Sequence, residues 1–276
     1  MAERQSQDEN TEMTFWDHLD VLRGSLFRVI GVLAVVLVGV FIALPHIFDS
    51  FVLGPTRGDF FVYRLFSFIS SGRGKSSLIM PDLASDFHVD IININVASQF
   101  MTHISTSISL AAVIAFPYFI WEVWKFIEPA LFEDEIKHLR PAFLGGTIMF
   151  YLGCAIGYTL VFPFTFRFLV EYNLSPSITN QINLQSYIDN FTMLILVMGI
   201  VFEMPLLAWL LSLFGILRKS FLREYKRHAV VVLLISAAII TPSGDPFTLM
   251  LVFIPLYVLY ELSILVVKDK PKKSEE

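Results

Sequence analysis

The stretch Trp121–Pro141 sets Glu122, Glu128, Glu133, Asp134 and Glu135 among Trp121, Trp124, Phe126 and Phe132, between two long apolar runs. Aromatic residues flanking an apolar run sit at the level of lipid headgroups, so these acids form an aromatic-rimmed face at a membrane edge, which suits a basic ligand. Arginine keeps its charge at any accessible pH and offers a planar fork that a carboxylate accepts at two points. Any of these carboxylates could accept such a fork from a basic ligand. The same stretch also reads as a solvated connector between spans. A further acid, Glu203, stands inside the apolar sequence Phe202–Pro205. A carboxyl group at such depth costs about 3 kcal/mol to insert, so it must face protein, water or a partner.

Other chemistry is missing from the chain. The six histidines, His18, His46, His88, His103, His138 and His228, are scattered without metal-ligand spacing, and neither a metal nor any other cofactor is expected. No serine nucleophile elbow or dinucleotide fingerprint occurs. The run Gly72–Ser77 resembles the end of a phosphate loop, but Ile69 stands where that motif needs glycine. The reading is a protein that is not an enzyme and takes no nucleic acid. Cys154 is the one cysteine, so no intrachain disulfide forms.

The frame for these acids follows from composition. Of 276 residues, 55% are hydrophobic and 16% charged, with a mean hydropathy of +0.65, which describes an integral membrane protein. The pattern predicts six spans: Ser25–Leu44, stopped by Pro45; Phe100–Ile120, kinked at Pro117; Phe143–Phe162, ended by Pro163; Tyr187–Phe214, closed by Gly215; and two shorter segments, Ala229–Ile240 and Phe247–Val267, the last broken at Pro255. Phe60–Ile69 reads as an interfacial amphipathic segment, Ser70–Ser77 as a flexible tip, and Phe164–Ser186 as the second outer loop. Arg and Lys concentrate at the N-terminus, the central loop, the Gly215–His228 loop and the C-terminus, which places both termini in the cytoplasm. Residues 1–276 form one integral membrane domain, with a core over 15–267 and polar tails at 1–14 and 268–276.

The residues also match a known family. His18, Leu19, Leu22 and Arg23 near the start, Gly54-Pro55, Asn95–Phe100, Phe116–Leu131 followed by Glu135, Phe150–Tyr158, Phe202–Pro205 and Thr241–Phe247 resemble the TatC family, the multispanning core subunits of the twin-arginine protein translocase. The resemblance implies an all-α concave bundle of six transmembrane helices in a bacterial cytoplasmic (inner) membrane, acting as receptor for the twin-arginine signal peptides of folded precursor proteins. Carried over by position, Glu135, Phe126, Pro129, Glu128, Arg23, Leu22, Asp20 and His18 would form the signal-peptide site. Glu203, with Met204, Pro205 and Thr248, would dock single-span TatA/TatB-type subunits, and Pro55 and Asp245 would lie at the outer face. A homo-oligomer within the complex is implied too. Three positions depart from the family pattern: Val21 stands where an acid is common, with Asp20 beside it; Leu249 replaces a glutamine; and the first outer loop is long. The rival reading is a proton-coupled secondary transporter of a small solute, with Glu203 as proton relay and hydroxyls at 102, 105, 106, 107 and 109 lining a path. Against it, the sequence shows no pair of similar halves, and no second buried charge is expected.

Overall fold

The computed structural model describes residues 15–65, 87, 89–127, 133–175, 177, 180–241 and 245–267, with backbone alone for 15–19 and 133–140. Five helical stretches are long and apolar enough to cross a membrane: Asp20–Thr56, Ser98–Ile127, Pro141–Glu171, Leu184–Leu213 and Pro246–Val266. They are called spans one to four and span six. Span five is the helix Lys226–Ile240, 15 residues long. At 1.5 Å per residue it reaches about 22 Å, short of a hydrocarbon core of about 30 Å, and it packs along span six.

Prolines interrupt the helices less than the sequence suggests. Span one does not stop at Pro45: its α-helix runs Phe15–Ile47 and continues through a π turn, Phe48–Val52. A proline at 45 has no N–H for the carbonyl of Phe41, four residues back. His103 of span two supplies the missing donor, its Nε2 lying 2.8 Å from Phe41 O and its ring stacked on Phe41 at 3.8 Å. Span three does not end at Pro163. A π turn over Gly157–Val161 leads into the helix Phe162–Glu171, where Pro163 occupies the first turn and no intrahelical partner is asked of its nitrogen. The second outer loop therefore starts at Tyr172. Span six passes unbroken through Pro255, as transmembrane helices do when neighbouring structure absorbs the freed carbonyl.

The start of the first outer loop forms part of the core. Phe60, Val62 and Tyr63 are buried while Phe61 and Leu65 are exposed, so the first half of the expected interfacial segment presents one side to the core and another outward; residues 66–69 lie outside the described residues. Tyr63 donates its hydroxyl to the carbonyls of Pro55 (3.2 Å) and Pro163 (3.1 Å), Tyr187 donates to Val52 O at 2.6 Å, and Tyr158 to Phe51 O at 3.0 Å. Burial raises the pKa of the Tyr63 phenol well above its ordinary value and keeps it a donor. The Arg167 guanidinium lies over the rings of Tyr63 (5.4 Å) and Phe87 (4.8 Å) and pairs with Glu171 at 2.7 Å. A two-residue parallel pairing of β1 (Ile91–Ile92) with β2 (Ile182–Asn183) ties the loop between spans one and two to the loop between spans three and four. The expected Ser70–Ser77 tip lies outside the described residues.

Spans three and four meet through glycine. A Cβ on Gly153 would lie 2.6 Å from Met198 O and 2.7 Å from Phe202 Cβ, and one on Gly199 would lie 2.6 Å from Cys154 Sγ. Backbone cannot yield as a flexible side chain can, and overpacking of this kind costs about 1–3 kcal/mol. Gly153→Ala is expected to lower the melting temperature of the detergent-purified protein, while Gly145→Ala, with open space around its Cβ, should leave it unchanged. Equal melting of the two variants would mean that spans three and four are not held at this distance.

Candidate functional site

On the side where span one begins and span two ends, one ion pair fixes the two helices. Glu122 is only 2% exposed. It accepts from Arg28 Nη2 at 2.8 Å and Nε at 3.2 Å, and from the Tyr118 hydroxyl at 2.9 Å. Lys125 Nζ approaches at 3.4 Å, and Arg28 Nη2 also donates to Ser25 Oγ at 2.9 Å. Glu122 therefore does not belong to the exposed acidic face read from sequence, since its oxygens are occupied by protein. Trp124 also leaves the expected aromatic rim: it is buried against Phe143 at 5.0 Å, within a cluster that reaches Trp209 and Leu213 of span four. Trp121 does remain exposed, with Lys125 over its ring.

The pair sets the level of the remaining candidates. Span one and span two run in opposite directions, so moving from Arg28 back to Arg23, about 7.5 Å, and from Glu122 on to Phe126, about 6 Å, arrives at similar depth. Asp20, Leu22 and Arg23 are exposed there, with Arg23 stacked over Phe27, and Phe126 is half-buried. His18 lies in the first turn of the span-one helix, and Glu135 in the first turn of the helix Glu133–Ile156. Glu128 and Pro129 lie outside the described residues, as do the side chains of His18 and Glu135. Sequence reasoning missed the partnership of Arg28 with Glu122, although a cation inside an apolar run calls for an acid. Glu122→Gln and Arg28→Gln are each expected to loosen span one from span two, and the exchanged pair Arg28→Glu with Glu122→Arg to regain stability. A double-mutant cycle on melting temperature reads this coupling; purely additive losses would show that the contact does no specific work.

The second candidate centre is Glu203, at the junction where the helix Leu184–Phe202 gives way to Met204–Leu213. Pro205 contributes no N–H, and the chain bridges the gap with a Glu203 N–H shared between the carbonyls of Ile200 and Val201. Glu203 is 7% exposed, and neither carboxyl oxygen has a hydrogen-bond partner among the described residues. It faces Gly146 of span three, where a Cβ would come within 2.9 Å of Glu203 Oε2 and 2.5 Å of Leu206 Cδ2. Pro205 is buried and Met204 packs on the main core. The expected companion Thr248 is engaged elsewhere: its N–H donates to Asp245 Oδ1 at 2.8 Å and its hydroxyl to Asp245 Oδ2, capping span six. Asp245 is thus an N-cap, and Pro55 is buried, its carbonyl accepting from the Tyr63 hydroxyl.

Among the described residues no cluster of His, Cys, Asp and Glu could hold a metal ion. Residues 17–255 match the family described as Sec-independent protein translocase protein (TatC). The chain is 33% identical over 258 residues to the Sec-independent protein translocase protein TatC of Blattabacterium sp. subsp. Periplaneta americana, covering 94% of this chain and 96% of that one. It is 34% identical over 190 residues to the TatC of Deinococcus radiodurans, covering 69% and 70%. A crystal structure of the twin-arginine translocase receptor TatC superposes with a TM-score of 0.68 at 26% identity, covering 90% of this chain and 97% of that one.

Proposed function

The chain belongs to the TatC family of Sec-independent protein translocase components, and from that premise we propose that it is the receptor that binds paired-arginine signal peptides at the face formed by the start of span one and the end of span two. The observation that carries this reading is the Arg28–Glu122 pair, which brings the exposed Asp20–Arg23 segment level with Phe126. The ordered Asp20–Arg23 segment beside Phe126 offers a surface across which a basic peptide can lie. With Glu122 neutralised internally, Glu128 and Glu135 are left to meet the ligand. The titration that tests it uses the purified protein with a signal peptide bearing paired arginines and one bearing paired lysines. Arginine should bind more tightly, because lysine is a point charge without the fork. Indifference to the exchange would remove the receptor reading.

The orientation belongs to the same proposal: both termini in the cytoplasm of a bacterium whose inner membrane holds the protein. The positive-inside asymmetry supports it. Cysteine placed at Ser220 is expected to resist an impermeant thiol reagent in intact cells and to react after permeabilisation. Labelling before permeabilisation would invert the topology. Glu203, unpartnered and buried beside Gly146, is the proposed contact for single-span TatA/TatB-type subunits, and several copies of the chain would assemble within the complex.

A further inference from the structure

The connector between spans four and five carries a chemistry that neither centre above uses. A Schellman turn ends span four: Gly215 adopts φ +71°, its N–H reaches Ser212 O at 3.0 Å, and the Ile216 N–H reaches Leu211 O at 3.0 Å. The chain then runs through the short helix Lys219–Glu224 into span five at Lys226. Both ends of this connector are ends of spans, so it is held at the membrane surface. It is also pinned from beneath by span six, where the Tyr260 hydroxyl donates to Leu222 O at 2.6 Å and Lys226 pairs with Glu261 at 2.5 Å.

What the pinned connector presents outward is both apolar and cationic. Phe214, Ile216, Phe221 and Tyr225 are exposed, Ile216 to 71%, and the Phe221 and Tyr225 rings lie 4.6 Å apart. Arg218, Arg223 and Arg227 are exposed as well. Arg28, Lys125, Arg167 and Lys226 each meet a carboxylate. Arg218, Arg223 and Arg227 form no ion pair among the described residues, and Glu224 is the only acid of the segment 214–228. Apolar side chains at this level seek acyl chains, and unpaired guanidinium groups beside them seek phosphate oxygens, which they bind in bidentate fashion. A soluble anion would satisfy the arginines and leave four large apolar side chains in water.

We propose that the connector Phe214–His228 is a binding site for anionic phospholipid headgroups of the adjoining leaflet, with Arg218, Arg223 and Arg227 on the phosphate and Phe221 and Tyr225 at the acyl boundary. The full chain in neutral detergent is titrated with phosphatidylglycerol, phosphatidylcholine or inorganic phosphate, reading the rise in melting temperature. Phosphatidylglycerol should raise it in saturable fashion, and the other two should not. In the triple variant Arg218→Gln, Arg223→Gln, Arg227→Gln the half-saturating concentration should increase by about tenfold or more, since each cation near an anionic surface contributes several-fold. The triple lysine variant should retain most of the response, which guards against a folding defect in the glutamine variant. Equal responses to phosphatidylglycerol and phosphatidylcholine, an equal response to inorganic phosphate, or an unchanged half-saturation in the glutamine variant would each overturn the assignment.

Discussion

Glu135→Ala is expected to weaken binding of a paired-arginine signal peptide by about tenfold or more, while Glu133→Ala changes it much less. The helix after the central loop begins at Glu133, which puts both acids in its first turn, where the macrodipole favours a carboxylate. Their shared turn makes them a matched pair for the experiment. At about 100° per residue the two positions lie some 200° apart around the helix axis, so a ligand docked on one face of the helix would meet one of them. A charge-assisted hydrogen bond from guanidinium to carboxylate contributes about 1.5–3 kcal/mol, which is the source of the expected factor. Diffuse attraction, by contrast, depends on net charge and treats the two positions alike. Equal losses in the titration, both abolished by raising the salt to screen surface charge, would show that recognition is by field and not by a defined site.

The membrane class and the number of spans were legible in the sequence because long apolar runs carry that information directly. Gly215 also read correctly, because a left-handed C-cap is a local property of one residue. The errors came where a distant side chain altered a local rule. Pro45 should end a helix in isolation, but His103 of span two compensates the orphaned Phe41 carbonyl. Pro163 looks like a terminus in the sequence because the π turn before it has no sequence signature. The segment from Phe60 looks amphipathic, and the sequence alone does not show that Phe60 and Tyr63 spend their rings on Tyr158, Phe164 and Phe87. Among the acids, residue type alone could not separate Glu122 from Glu128 and Glu135. Only the arrival of Arg28 from 94 residues away removes Glu122 from the exposed set.

Glu203→Ala is expected to do two things that rarely go together: to leave the isolated protein as stable as wild type or more so, and to abolish its crosslinking to single-span partner subunits. The expectation rests on the carboxyl group having lost its water without gaining a protein partner. Both oxygens are buried without hydrogen bonds among the described residues, and the hydroxyls of Thr241 and Thr248 are committed to Ala237 O and Asp245. An unsatisfied buried polar group costs about 1–3 kcal/mol, so deleting it should return a gain of that order, partly offset by the cavity left beside Gly146. A polar residue on a docking helix could instead satisfy the carboxyl, and the cost then becomes the driving force for association. Glu203→Gln keeps the size and both donor and acceptor capacity, so it should preserve most of the crosslinking from a photoreactive residue at Leu207, which is exposed one turn along. Gly146→Ala supplies an independent check, because its Cβ would displace the carboxyl from its position and should impair association without touching the acid's chemistry. Glu203→Ala that melts well below wild type while crosslinking normally would make the residue an internal strut, and the proposed docking contact would have to be sought elsewhere.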